Sequence, residues 1–168
     1  MTKSIYLVSG PCGVGKSTIT KTLAHEMEGV VLIEGDVIHS MFIGQEQPPW
    51  DEQLEIDWKN ILSLTKNFVE NNLNVIIDYV VETELEWFCK QLSGLNVHIH
   101  YVVLRADEGI LIERLNKRGD HNLVDRSLQL LEELESRMPN KKYLYDTTNK
   151  QPSDIVVDLR GRFKQFRL

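Results

Sequence analysis

Gly10-Pro11-Cys12-Gly13-Val14-Gly15-Lys16-Ser17-Thr18 is the stretch that decides how this chain is read. A glycine, four variable positions and then Gly-Lys-Ser is the pattern that wraps a phosphate. Glycines let successive backbone N–H groups turn inward, the lysine reaches the outer phosphates of a nucleotide, and the serine hydroxyl is a ligand for Mg²⁺. Gly10, Gly13 and Gly15 are expected to shape the loop, with Cys12 and Val14 as small fillers; Lys16, Ser17 and Thr18 open a helix. The flanks agree. Ile5-Tyr6-Leu7-Val8 is a short apolar run suited to a buried strand, and Ile19, Leu23 and Met27 recur at helical spacing. The start of that helix turns its partial positive charge toward the same anion. A flexible glycine turn without a ligand has no need of Lys-Ser at its end.

The composition narrows what such a loop serves. A chain of 168 residues, 42% hydrophobic and 26% charged, fits one domain over residues 1–168. Its net charge of −6 and the lack of a long basic run exclude an extended nucleic-acid track. Cys12 and Cys89 make no disulfide framework and have no zinc spacing. No apolar run approaches the ~18 residues of a membrane span and no leader pattern precedes the first strand, so the expectation is a cytoplasmic protein away from the membrane, as monomer or homodimer.

Further strands are read at 30–33, 74–78, 97–104 and 143–145, and helices at 50–72, from Thr83-Glu84-Leu85-Glu86 as a capping box, from Asp107 as an N-cap to 117, and from Pro152 onward. Strands alternating with helices predict an α/β fold: a five-stranded parallel sheet with helices on both faces and right-handed crossovers. Ligands of such sheets lie beyond the carboxyl ends of the strands. Asp36 and His39 follow the second strand, and Asp78 ends the third as a carboxylate that supports Mg²⁺. A polar loop over residues 118–124, between two helices, is expected to act as a mobile lid.

With these residues in view, the chain resembles the small P-loop metabolite kinases, the group of shikimate kinase, gluconate kinase and chloramphenicol phosphotransferase, with zeta-toxin-like kinases as relatives. The likeness runs over essentially the whole chain. It rests on residues 10–18, on Gly35-Asp36-Val37-Ile38-His39, on Asp78, on the 104–119 stretch with Arg114 and Arg118, and on Asp146-Thr147-Thr148. The resemblance implies a P-loop NTPase fold and an ATP- and Mg²⁺-dependent kinase acting on a hydroxyl of a small-molecule acceptor. Asp36 would take the hydroxyl proton, Lys16 and the loop would hold the phosphates, and Ser17 with Asp78 would serve the metal. Arg118 would clamp the transferring group, Arg114 would pack on adenine, and Thr147 and Thr148 would lie along the base.

Each of these residues also has a plainer reading. Asp36 suits a helix cap, His39 a half-buried polar residue, Arg114 and Arg118 a solvated helix face, Arg126 a structural ion pair rather than a phosphate contact, and Asp146 to Thr148 an ordinary turn. Trp50, Trp58 and Tyr79 fit an acceptor wall or the core. The chain has no arginine between Val14 and Arg105, which argues against a strongly anionic acceptor such as shikimate kinase takes. A regulatory GTPase would need Asn-Lys-x-Asp and Asp-x-x-Gly, where this chain has Asn149-Lys150-Gln151-Pro152 and Asp78-Tyr79-Val80-Val81. A non-catalytic nucleotide-binding module, or a kinase of a nucleotide or nucleic-acid end, are the remaining alternatives, and the acidic charge disfavours the nucleic-acid end.

Overall fold

The computed structural model describes residues 2–168. The first strand, β1 (Lys3–Ser9), is apolar on both faces at Ile5, Leu7 and Val8, so it cannot lie at an edge and sits at the centre of the sheet. The chain continues through α1 (Lys16–Glu26), β2 (Val30–Glu34), the short α2 (Gly35–His39), α3 (Trp50–Glu70), β3 (Asn74–Asp78), α4 (Leu85–Leu92) and β4 (Val97–Arg105). It ends with α5 (Glu108–Arg118), α6 (Val124–Ser136), β5 (Leu144–Asp146) and α7 (Pro152–Arg162). The five strands are parallel in the order β2-β3-β1-β4-β5. This is an α/β fold built on one five-stranded parallel sheet.

The order explains the layers. The path from β1 to β2 runs one way across the sheet and the path from β2 to β3 runs back. Right-handed crossovers therefore put α1 and α3 on opposite faces. α1 packs against α7 on one side, and α3 packs against α4 on the other. Both faces of β3 are closed, with Val75, Ile76 and Ile77 fully buried.

Parallel register brings the strand ends together. Val8 and Glu34 both pair with Asp78, and Arg105 pairs with Asp146. The glycine loop, the start of α2, residues 79–84 and the turn after β5 all leave from this one edge. Gly35 is what lets α2 begin there. A Cβ at that position would fall 2.1 Å from Cδ2 and 2.2 Å from Cγ of Tyr79, so only glycine allows the helix start to lie against the end of β3.

Three local expectations need correction. The fifth strand is Leu144–Asp146, because Tyr143 closes a 3-10 stretch (Met138–Tyr143) with its ring buried against Tyr101. The capping box at Thr83 does not form. Glu84 instead turns its carboxylate back onto the N–H groups of Glu82 and Thr83, at 2.8 and 2.9 Å, and the helix starts at Leu85. Asp107 does precede α5, but its carboxylate receives Arg105 at 2.7 Å and leaves the helix N–H groups alone. No helix among the described residues is long and apolar enough to cross a membrane.

Candidate functional site

The glycine loop is held from three sides. Arg114 on α5 donates to the Val14 carbonyl at 3.1 Å, and Ser127 on α6 donates to the Cys12 carbonyl at 2.6 Å. Lys16 closes the loop on itself through the carbonyls of Gly10 and Pro11, at 2.7 and 3.1 Å. Gly13 has φ 79°, and a Cβ there would lie 2.8 Å from Cγ of Leu115. A side chain is excluded by both conformation and space, and the backbone can approach an anion closely there.

Two joined spaces open on this loop. One, of about 160 Å³, is bounded by Cys12, Lys16, Ser17, Asp36, Asp78 and Arg118, with Tyr79 and Leu123 completing it. The other, of about 760 Å³, runs from Gly13 and Gly15 past Arg114 and Arg118 to Thr148, Asn149 and Pro152. Both share Gly13, Gly15, Thr18 and Arg118. The trench is thus phosphate-sized and charged at one end and broad at the other, the shape of a nucleotide.

Asp36 is exposed and lies in the first turn of α2, whose N-cap is Glu34; its carboxylate caps no helix. It shares the small space with Lys16, Ser17 and Asp78. Asp78 is nearly buried, and desolvation pushes its carboxyl above the usual aspartate range, against the opposing pull of Lys16 and of the Ser17 and Thr20 hydroxyls. Thr20 donates to Asp78 Oδ2 at 3.2 Å. The donors on offer are hard oxygens from Ser17 and Asp78. Among the described residues no group of three or more His, Cys, Asp or Glu side chains could hold a metal by itself. That set fits Mg²⁺ completed by phosphate oxygens and water, and does not fit a protein-only metal cage.

Arg118, the last residue of α5, pairs with Asp120 at 2.9 Å and remains 62% exposed, free to change partners. Gly119 ends the helix in the left-handed conformation, and His121–Leu123 forms a 3-10 turn before α6, so the expected loop is one tight corner with Arg118 at its edge. Arg126 takes the structural role: it pairs with Glu82 at 2.6 Å.

Two expected base-side residues part ways. Thr148 borders the broad space, where its hydroxyl donates to Asp146 and accepts from the Asp107 N–H. Thr147 is fully buried and donates its hydroxyl to the Arg105 carbonyl at 3.0 Å. Its side chain braces β5 against β4 and does not border the cavity, a correction that follows from the parallel pairing of Arg105 with Asp146.

Between α2, α3 and the end of β3, one residue escaped the sequence reading. Asp57 on α3 is fully buried, and its Oδ2 receives both the Tyr79 hydroxyl and His39 Nδ1, each at 2.8 Å. Asp57 Oδ1 has no hydrogen-bond partner among the described residues. His39 and Tyr79 are therefore brought together, with Trp50 edge-on to the His39 ring at 4.8 Å. Trp50 itself is 56% exposed, whereas Trp58 is buried between Tyr79 and Phe88. The available signal was an acid at position 57 on the apolar stripe of Leu54, Trp58 and Ile61.

Residues 7–137 match the family of AAA domains. A search of the curated proteins finds no match. Among solved structures, the chain is similar to a gluconokinase from Sinorhizobium meliloti 1021, with TM-score 0.68 and 20% identity over 97% of this chain and 92% of that one. It is similar to the tunicamycin resistance protein of Deinococcus radiodurans, with TM-score 0.67 and 18% identity over 95% of each chain. A chain of the Pnkp1/Rnl/Hen1 RNA repair complex aligns at TM-score 0.63 and 19% identity, over 78% of this chain and 44% of that one. At these identities the likeness is one of fold. The chain belongs to the AAA domain family, on a P-loop kinase fold.

Proposed function

We propose that this protein is a kinase that transfers the γ-phosphoryl group of ATP to a hydroxyl of a small-molecule acceptor. The observation that carries the reading is the meeting of Lys16, Ser17, Asp36, Asp78 and Arg118 in one small space at the end of a nucleotide-shaped trench. A nucleotide-binding module needs the loop, but it has no use for an exposed carboxylate bordering the same space as the loop lysine.

In this reading Lys16 leaves the Gly10 and Pro11 carbonyls for the β- and γ-phosphates, while the loop N–H groups cradle them. Ser17 would ligate Mg²⁺ directly and Asp78 would support its shell. The metal, when bound, offsets negative charge on the phosphates. Asp36 accepts the acceptor's hydroxyl proton as the new O–P bond forms and the bond from the γ-phosphorus to the β-bridging oxygen breaks, so that ADP leaves. Arg118 exchanges Asp120 for the transferring group, and Arg114 and Thr148 flank the base. The corner over residues 118–124 is the lid. The protein is taken to work in the cytoplasm as a monomer or homodimer.

The test is ATP consumption with Mg²⁺ against a panel of sugars, nucleosides, sugar acids and amine-bearing antibiotics, with Asp36→Asn and Lys16→Ala alongside. One acceptor should stimulate turnover. Asp36→Asn should lower that rate about 10²–10⁴-fold, the usual contribution of a positioned base, and Lys16→Ala should abolish it. Undiminished turnover in Asp36→Asn would remove the base from the mechanism, and normal turnover in Lys16→Ala would sink the reading entirely. Tight ATP binding with no stimulation by any acceptor would favour the binding module.

A further inference from the structure

Beyond the trench, a separate cavity of about 530 Å³ lies between α3 and α4, near the same edge of the sheet. Its apolar walls are Leu54, Trp58 and Trp87, and its rim carries Asp51, Glu55, Glu82 and Glu84, with Lys59 as the one cation. The Trp58 ring is 5.6 Å from that of Tyr79, which in turn borders the space holding Asp36. The two cavities are therefore neighbours across one pair of aromatic rings.

The charge around this cavity is lopsided. Residues 34–92 hold twelve of the chain's 25 carboxylates and three of its 19 lysines and arginines, a balance of −9 in a chain of −6, which leaves the rest at +3. The cations sit with the nucleotide: Lys16, Arg114, Lys117, Arg118 and Lys150 all border the trench. On the acceptor side Glu55 pairs with Lys59 and Glu82 with Arg126, while Asp51 has no ion-pair partner among the described residues. An anion there would face the unpaired carboxylate of Asp51; a cation would meet that carboxylate and the exposed indole of Trp87, the kind of aromatic surface that binds ammonium groups best.

We propose that this cavity is the acceptor subsite and that it takes a positively charged acceptor: a hydroxylated molecule whose ammonium group is held by Trp87 and Asp51, with the edge of buried Trp58 in the wall behind it. The inference rests on the kinase reading for the fate of the hydroxyl, which points past Tyr79 toward Asp36. The carboxylates and tryptophans select the charge, and the trench supplies the phosphoryl group. Sugar acids and nucleic-acid ends, both anionic, are rejected by the same field.

The test follows tryptophan fluorescence of the full chain, with Mg²⁺ and a non-hydrolysable ATP analogue, as it is titrated with matched probes. Choline is compared with dimethylbutanol, its neutral isostere, and glucosamine with gluconate. Choline should give a saturable change at a concentration about tenfold below that of its isostere, the scale of a cation over an aromatic face, and glucosamine should bind ahead of gluconate. In Asp51→Asn and Trp87→Ala that preference should fall several-fold while thermal unfolding still shows a folded protein. Equal binding of choline and its isostere, tighter binding of gluconate, or no saturable response to choline overturns the inference. The two readings fail separately. Choline-selective binding with no acceptor-stimulated ATP turnover removes the kinase and keeps the cation subsite; gluconate-stimulated turnover does the reverse.

Discussion

Replacing Gly35 by alanine tests the link between sequence and site most directly. The new Cβ would lie 2.1, 2.2 and 2.8 Å from Cδ2, Cγ and Cβ of Tyr79. These atoms are at the root of the side chain, so no rotation of a flexible tip relieves the clash. Tyr79 is 7% exposed, its ring packs on Trp58 and its hydroxyl donates to buried Asp57. Either α2 lifts from the end of β3, or Tyr79 leaves Asp57. Overpacking of this kind costs about 1–3 kcal/mol, and loss of a hydrogen bond to a buried carboxyl adds about 1.5–3 kcal/mol. The sum, about 2.5–6 kcal/mol, is a large part of the roughly 5–15 kcal/mol that holds a domain folded. In urea, with m of about 2 kcal/mol/M, the midpoint should fall by roughly 2 M at unchanged m. Tyr79→Ala removes the two ring contacts, so the same glycine substitution in that background should cost less by at least ~1 kcal/mol. A cost below ~1 kcal/mol, or an equal cost in both backgrounds, would refute the argument that Gly35 is required by the approach of Tyr79.

Two further outcomes bear on separate parts of the molecule. His100 is buried with its Nδ1 2.8 Å from the Phe163 carbonyl, and desolvation lowers its pKa below the ordinary 6.5. Between that lowered value and 6.5 the unfolded chain binds more protons than the folded one. Stability should therefore be complete above pH 6.5 and be lost as pH falls through the folded pKa, and in His100→Asn thermal unfolding against pH should show a smaller acid-side loss. Thr147→Val removes the hydroxyl donated to the Arg105 carbonyl and should cost about 1–2 kcal/mol of stability, yet leave the affinity for an ATP analogue, read by calorimetry, within about twofold. A tenfold loss of nucleotide affinity in a variant that unfolds normally would return Thr147 to the nucleotide site.

The order of strands and helices was legible because the signals are local. Buried strands are short apolar runs, and the glycine loop states both its conformation and its ligand. The errors fell where two groups compete for one partner. Glu84 found backbone N–H groups two residues upstream before Thr83 could cap a helix, and Asp107 met Arg105 across the end of β4. Thr147 and Thr148 are adjacent in sequence and equal in chemistry; only the pairing of β4 with β5 turns one inward and the other toward the trench.

The glycine-loop part of the site is built by one strand, one loop and one helix in succession, residues 3–26, so one continuous stretch of sequence specifies it. The cluster around Asp57 is not local in this sense. Asp57 is separated from His39 by 18 residues and from Tyr79 by 22, and its role exists only once α2, α3 and the end of β3 have packed together. A helix carrying an acid beside Trp58 can place that acid in solvent or in the core, and the period of 3.6 residues does not choose between them. What chooses is Gly35. By letting α2 lie directly on Tyr79, it brings His39 within reach of α3 and gives the buried carboxyl a second donor beside the Tyr79 hydroxyl. The Gly-Asp-x-x-His stretch thus combines a spacing for chemistry with a packing requirement. Asp36 borders the space it shares with the loop lysine from a helix start that lies on Tyr79 because the glycine before it has no side chain.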